Sequence, residues 1–113
     1  YFDIIRNMES NIAVHADQMA ALGNEARLGI LKLLLSDYPE EISAGEISQA
    51  TSIPASTLSH HLDRLRREGL IESRRDKQWI WYRANTATLG DLLNFLYHDC
   101  CGGCGVEIKT RAC

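Results

Sequence analysis

Residues 54–71 read PASTLSHHLDRLRREGLI, and the fold turns on how this stretch is read. On a helical wheel of about 100° per residue with Leu58 at zero, Leu62 and Leu65 fall within about 40° of it. That makes one apolar face. Ser56, His60, Asp63, Arg64 and Arg67 fall opposite, flanked by Thr57 and Ser59. Pro54 suits the first turn of a helix and Gly69 the residue just past its end. The pattern predicts a helix running through about Glu68.

Upstream, Ser43 with Glu46 three residues on forms a capping box for a short helix over 43–50, with Ile47 and Ala50 as its apolar positions. Thr51 and Ser52 break it. Further back, Asn24 caps a helix carrying Leu28, Leu31, Leu34 and Leu35. Ile30 and Leu33 widen that stripe, so this helix is expected to be the most buried. It ends before Asp37, Tyr38 and Pro39. Met8, Ile12, Ala16, Met19 and Leu22 mark a first helix over 7–22, broken by Gly23.

Downstream the period changes from 3.6 to 2. Residues 70–75 and 79–83 read as strands joined by the polar turn Arg75-Asp76-Lys77-Gln78. Thr86 or Thr88 opens a last helix with Leu89, Leu92, Leu93 and Leu96 at helical spacing, ended by Gly102 and Gly103. The order is ααααββα, mostly α with a β-hairpin wing. A helix pair joined by a short turn and followed by a hairpin is a winged helix-turn-helix plan.

With 113 residues the chain is long enough for one domain, set at 1–99, followed by a cysteine-rich tail at 100–113. Apolar residues make up 45% and charged residues 24%, which excludes a disordered, collagen-like or linker chain. Apolar runs are only a few residues long, too short to span a membrane. No leader pattern opens the sequence, so secretion is unsupported. Tyr1 stands where Met is expected, so further residues are expected upstream.

The net charge of −3 is unevenly spread. Residues 1–50 hold three bases against eight acids, whereas residues 54–83 hold seven bases against four acids. A local basic zone matters more for nucleic acid than a whole-chain pI of about 5.8. Ser56, Thr57, Ser59 and His60 are placed to reach base edges, with Arg64 and Arg67 on phosphates. Arg74, Arg75 and Lys77 at the hairpin tip flank the groove. Taken alone, the basic helix face reads as ordinary solvated surface. Helix pair, basic face and basic wing in this order read as a binder of double-stranded DNA. His61 lies near the buried edge and reads as a packed histidine.

Four runs together resemble the ArsR/SmtB family of metalloregulatory repressors: 22–31 (LGNEARLGIL), 56–62 (STLSHHL), 65–71 (LRREGLI) and 81–83 (WYR). The likeness covers about residues 10–104. It implies a homodimeric winged-helix repressor, with first and last helices at the interface, released from its operator by a metal or metalloid.

All four cysteines, Cys100, Cys101, Cys104 and Cys113, lie in the last fourteen residues. So tight a cluster cannot staple the body, and it reads as a soft-ligand or redox site in a reducing, cytoplasmic setting. Gly102-Gly103 lets a third sulfur approach Cys100 and Cys101. Three thiolates suit pyramidal As(III) or Sb(III) as inducer. The third sulfur is Cys104 or Cys113. Zinc, which prefers four ligands, stays open through Cys113 or His98. The tail resembles arsenic-responsive repressors with vicinal cysteines after the last helix. The Cys-x-Cys pair of other arsenic sensors is not found in residues 40–50, and Leu93 stands where a zinc sensor needs histidine beside Asp91. A rival reading is a redox- or persulfide-sensing repressor, because Cys101-Gly-Gly-Cys104 is a C-x-x-C pair. A thiol oxidoreductase would place that motif by a βαβ unit, which this pattern lacks. No Ser/His/Asp constellation or nucleotide loop points to an enzyme.

Overall fold

The computed structural model describes residues 2–98, with side-chain surroundings for 12–97. These residues form α1 (Phe2–Leu22), α2 (Glu25–Asp37), β1 (Ile42–Ser43), α3 (Ala44–Thr51), α4 (Ala55–Arg67), β2 (Ile71–Asp76), β3 (Trp79–Ala84) and α5 (Thr86–His98). The strands make an antiparallel sheet in the order β1-β3-β2. This is the winged helix-turn-helix plan, with a third strand that sequence pattern did not anticipate.

Local chemistry sets the boundaries. The Asn24 side chain accepts from the Arg27 amide at 3.1 Å and caps α2. The Ser43 hydroxyl accepts from the Glu46 amide at 3.3 Å and caps α3. Past α4, Gly69 adopts φ +75, a region that L side chains avoid. It donates to the Arg66 carbonyl at 3.0 Å while Leu70 donates to Leu65 at 3.0 Å. These two bonds close the helix in a Schellman motif.

Several boundaries differ from expectation: α2 runs through Asp37 and α3 through Thr51, each one residue past its expected end. Pro54 caps α4 from outside rather than occupying its first turn. Asn85, not Thr86 or Thr88, caps α5, its side chain accepting from the Thr88 amide at 3.1 Å. α1 starts at Phe2 rather than residue 7. The hairpin strands end one residue later than predicted, leaving Lys77-Gln78 as a two-residue turn with Lys77 at φ 59.

The core gathers Ile30, Leu31 and Leu34 of α2 with Ile47 of α3, Leu58, Leu62 and Leu65 of α4, and Leu70, Ile71 and Ala84 of the wing base. Each buried leucine contributes roughly 1.5–3 kcal/mol. Leu28 was expected in this core but is 47% exposed, because the buried side of α2 runs through Ile30 and Leu34. Ile12, Val14 and Met19 of α1 and Leu96 and Tyr97 of α5 are also exposed. α1 and α5 touch where the His15 and Phe95 rings stack at 4.2 Å, so the exposed apolar residues sit on neighbouring helices. No helix among the described residues is long and apolar enough to cross a membrane. The tail 100–113, its four cysteines and the expected stop at Gly102-Gly103 lie outside the described residues.

Candidate nucleic-acid interface

The turn between α3 and α4 is fixed by its own hydroxyls. Thr51 Oγ1 donates to the Ile47 carbonyl at 2.7 Å, and Ser48 Oγ to the Ile53 carbonyl at 2.6 Å. Buried Leu58, Leu62 and Leu65 then turn the opposite side of α4 outward. Ser56, Thr57, Ser59 and His60 are all exposed there. His61 is half-buried, with Nδ1 3.4 Å from the Arg27 guanidinium, so it packs α4 against α2.

The N-terminus of α4 differs from those of α2 and α3. Its N-cap is Pro54, with no side-chain cap and no acid in the first turn. α2 and α3 carry side-chain caps and Glu25 and Glu46 in their first turns. The first amides of α4 are therefore open at the positive end of a helix dipole, an arrangement that favours phosphate oxygens. These amides add to the side chains that the sequence pattern assigns to the interface. The uncapped proline was the available signal.

The arginines of α4 are partnered. Asp63 takes Arg66 at 2.8 Å and Arg67 at 3.1 Å. Arg64 Nε lies 3.8 Å from Glu68, is buried, and has no hydrogen-bond partner among the described residues. Exposed pairs of this kind are worth about 0–1 kcal/mol, so a phosphate can compete for Arg66 and Arg67. Arg64 is the less free of the predicted phosphate contacts.

The wing splits its charges between two faces. Register pairs Arg75 with Ile80 and Ser73 with Tyr82, and side chains alternate along a strand. Arg75 thus shares the side of Ile80 and Tyr82, which with Leu58, Ser59 and Leu62 of α4 line a groove of about 650 Å³. Partial burial pushes the Tyr82 phenol above its ordinary pKa. Arg74 lies on the other face and is bound by Glu41, and Arg83 is bound by Glu72 at 2.8 Å. Among the described residues the Arg75 side chain donates only to the Lys77 carbonyl, at 3.4 Å. Arg75 and Lys77 have no carboxylate partner among the described residues, whereas Arg74 does. The structure thus brings Arg75 and Lys77 together at the tip and holds Arg74 back.

No three His, Cys, Asp or Glu side chains among the described residues come together to hold a metal. Cys100, Cys101, Cys104 and Cys113 lie outside those residues.

An amphipathic helix behind a fixed turn, an open helix N-terminus and a basic hairpin tip define a DNA-binding winged-helix protein. Comparison agrees. Residues 22–74 match a family model described as a helix-turn-helix domain. The transcriptional activator HlyU of Vibrio cholerae is 34% identical over 97 residues, covering 86% of this chain and 87% of its own. Its reduced form, as a solved structure, has a TM-score of 0.64 at 37% identity, covering 81% of this chain and 97% of that one. The biofilm growth-associated repressor of Xylella fastidiosa is 34% identical over 95 residues, covering 84% of this chain and 81% of its own. Mb0332 of Mycobacterium bovis is a homodimeric winged helix-turn-helix DNA-binding domain, described as a candidate ArsR-family regulator. It has a TM-score of 0.67 at 29% identity, covering 80% of this chain and 81% of that one. The chain belongs to the ArsR family of transcriptional regulators. It is a regulator, not an enzyme.

Proposed function

We propose that the protein is a cytoplasmic, homodimeric repressor that leaves its double-stranded operator when As(III) or Sb(III) is held by its C-terminal thiolates. The operator reading is carried by the open N-terminus of α4 beside Ser56, Thr57, Ser59 and His60, with Arg75 and Lys77 on the adjacent wing. The dimer is supported by the exposed apolar residues of α1 and α5 and by the homodimeric relative Mb0332. A two-fold dimer sets two recognition helices about 34 Å apart on a near-palindromic site.

The donor set fits the inducer. Cys100 and Cys101, with Cys104 or Cys113, supply three soft thiolates, and residues 1–99 contain no cysteine. When bound, the ion supplies three sulfur bonds that constrain the tail. The thiolates follow α5 and are remote in sequence from α4, so release works through the dimer geometry rather than by competition for DNA contacts. A coupling of about 1–3 kcal/mol would weaken operator affinity roughly 5- to 150-fold.

A second reading, release by oxidation of Cys101 and Cys104, is favoured by HlyU having been described in a reduced form. A mobility assay on operator DNA, titrated in parallel with arsenite, zinc and an oxidant, separates these. Arsenite under reducing conditions should release the DNA. Release by oxidant alone, with arsenite inert, would transfer the function to redox sensing.

A further inference from the structure

Gln18 of α1 is 6% exposed, and with Ser43 it is one of two buried polar side chains among the described residues. Ser43 is explained by its cap on α3. Gln18 caps nothing. Burying an amide is costly unless it is hydrogen-bonded, and an apolar side chain of the same size would fill the site more cheaply. Its bonds are specific. Gln18 Nε2 donates to the Glu68 carbonyl at 3.4 Å, and its Oε1 lies 3.0 Å from His15 Nδ1. With the amide so oriented, His15 Nδ1 carries the proton and donates. The His15 ring in turn stacks on Phe95 of α5, at 4.2 Å and 26° between planes.

Glu68 is the C-cap of α4, and its carbonyl is among those that a helix end leaves without an intrahelical partner. Two residues on, the Leu70 carbonyl accepts from the Asn85 amide at 2.9 Å, at the start of α5. The end of the recognition helix is therefore held twice, by α1 through Gln18 and by the approach to α5 through Asn85.

We propose that Gln18, oriented by His15 and Phe95, is a positioning residue for DNA recognition. It sets the direction of α4 relative to α1 and α5. The helix acts as a lever, held at Glu68 and contacting DNA at its other end. Glu68 and Ser56 are roughly 18 Å apart along the axis, so a tilt of about 5° moves the Ser56 turn by about 1.6 Å. Hydrogen bonds to base edges do not survive such a shift, whereas diffuse attraction to phosphate does. The proposal rests on α4 reading DNA and is independent of the inducer.

Gln18→Met keeps the length and fills the site but makes neither bond. Operator and unrelated DNA affinities are measured by fluorescence anisotropy, with melting and sedimentation as controls. The melting temperature and assembly state should stay near wild type, operator affinity should fall about tenfold, and affinity for unrelated DNA should hold. Phe95→Leu should lose as much, Phe95→Tyr should retain wild-type affinity, and the Gln18→Met/Phe95→Leu double variant should lose no more than either single one. An unchanged operator-to-unrelated ratio in Gln18→Met, or single losses that multiply in the double variant, overturns the proposal. If Gln18→Met does not fold, His15→Phe, which keeps the stack and loses the bond, carries the same test. An unchanged ratio there overturns the proposal equally.

Discussion

Glu41 and Arg74 meet across the central strand of the sheet: Arg74 Nη2 lies 2.9 Å from one carboxylate oxygen of Glu41 and Nε 3.1 Å from the other. The pair runs from the residue before β1 to the middle of β2, with β3 between them. It braces the wing and occupies one of the three bases that the sequence assigns to its tip.

The tip bases should therefore differ in effect. Arg75→Ala and Lys77→Ala should weaken binding to all DNA and each lower the salt slope by about one. Arg74→Ala should do less. Glu41→Gln should do the reverse, freeing Arg74 and steepening the slope. Affinity measured across a salt series checks all four.

Side chains on the outer face of α4 should govern sequence rather than salt. Substituting Ser56, Thr57, Ser59 or His60 by Ala should change preference at one operator position by about 1–3 kcal/mol where a base contact is lost. Arg64→Ala and Arg67→Ala should act as phosphate losses, smaller for Arg64 because it is part-buried beside Glu68. Competition with a library of operator variants distinguishes the two kinds.

Acid should loosen the wing brace. The hydrogen bond from Arg74 holds the Glu41 carboxyl below its ordinary 4.5; desolvation opposes it, and the charges of Arg74 and Arg83 add to the lowering. A depressed folded value means that the contribution is present above 4.5 and lost as pH falls through the lower folded value. Carboxyl NMR titration should show Glu41 titrating below 4.5 in wild type and returning toward it in Arg74→Ala.

The core should respond as a close-packed one. Leu65 is 0% exposed, and Leu65→Ala should destabilise the fold by about 2–5 kcal/mol in denaturant unfolding. Gly69→Ala should cost about 1 kcal/mol through its φ of +75 alone, since the nearest Thr88 atoms leave 3.8 Å for a Cβ.

Most of the fold could be read from local chemistry. Leu58, Leu62 and Leu65 share a helical face, Asn24 and Ser43 are caps, and Gly69 is a stop, each decided by a few neighbouring residues. What escaped was non-local or too short to carry a period. A two-residue strand at Ile42–Ser43 shows no alternation. The carboxylate partner of Arg74 and the carbonyl partner of Gln18 lie 33 and 50 residues away. Leu28 looked buried because an all-leucine stripe does not say which part of its arc meets the core. The two threonines after Asn85 hide it as a cap in the sequence, although asparagine caps at least as well. At the interface, residue types were legible, but which arginines are already partnered was not. The thiol cluster was legible as composition alone.

The sensing role of the tail is tested most directly by arsenite titration of the operator complex under reducing conditions, comparing wild type with the Cys100→Ser/Cys101→Ser variant. The wild-type complex should dissociate, while the variant binds operator equally well and stays bound. Cys104→Ser should blunt the response and Cys113→Ser should affect it less, the reverse order making Cys113 the third ligand. A Cys100→Ser/Cys101→Ser complex that arsenite still releases would contradict the account, because the inducer would then act somewhere other than the tail.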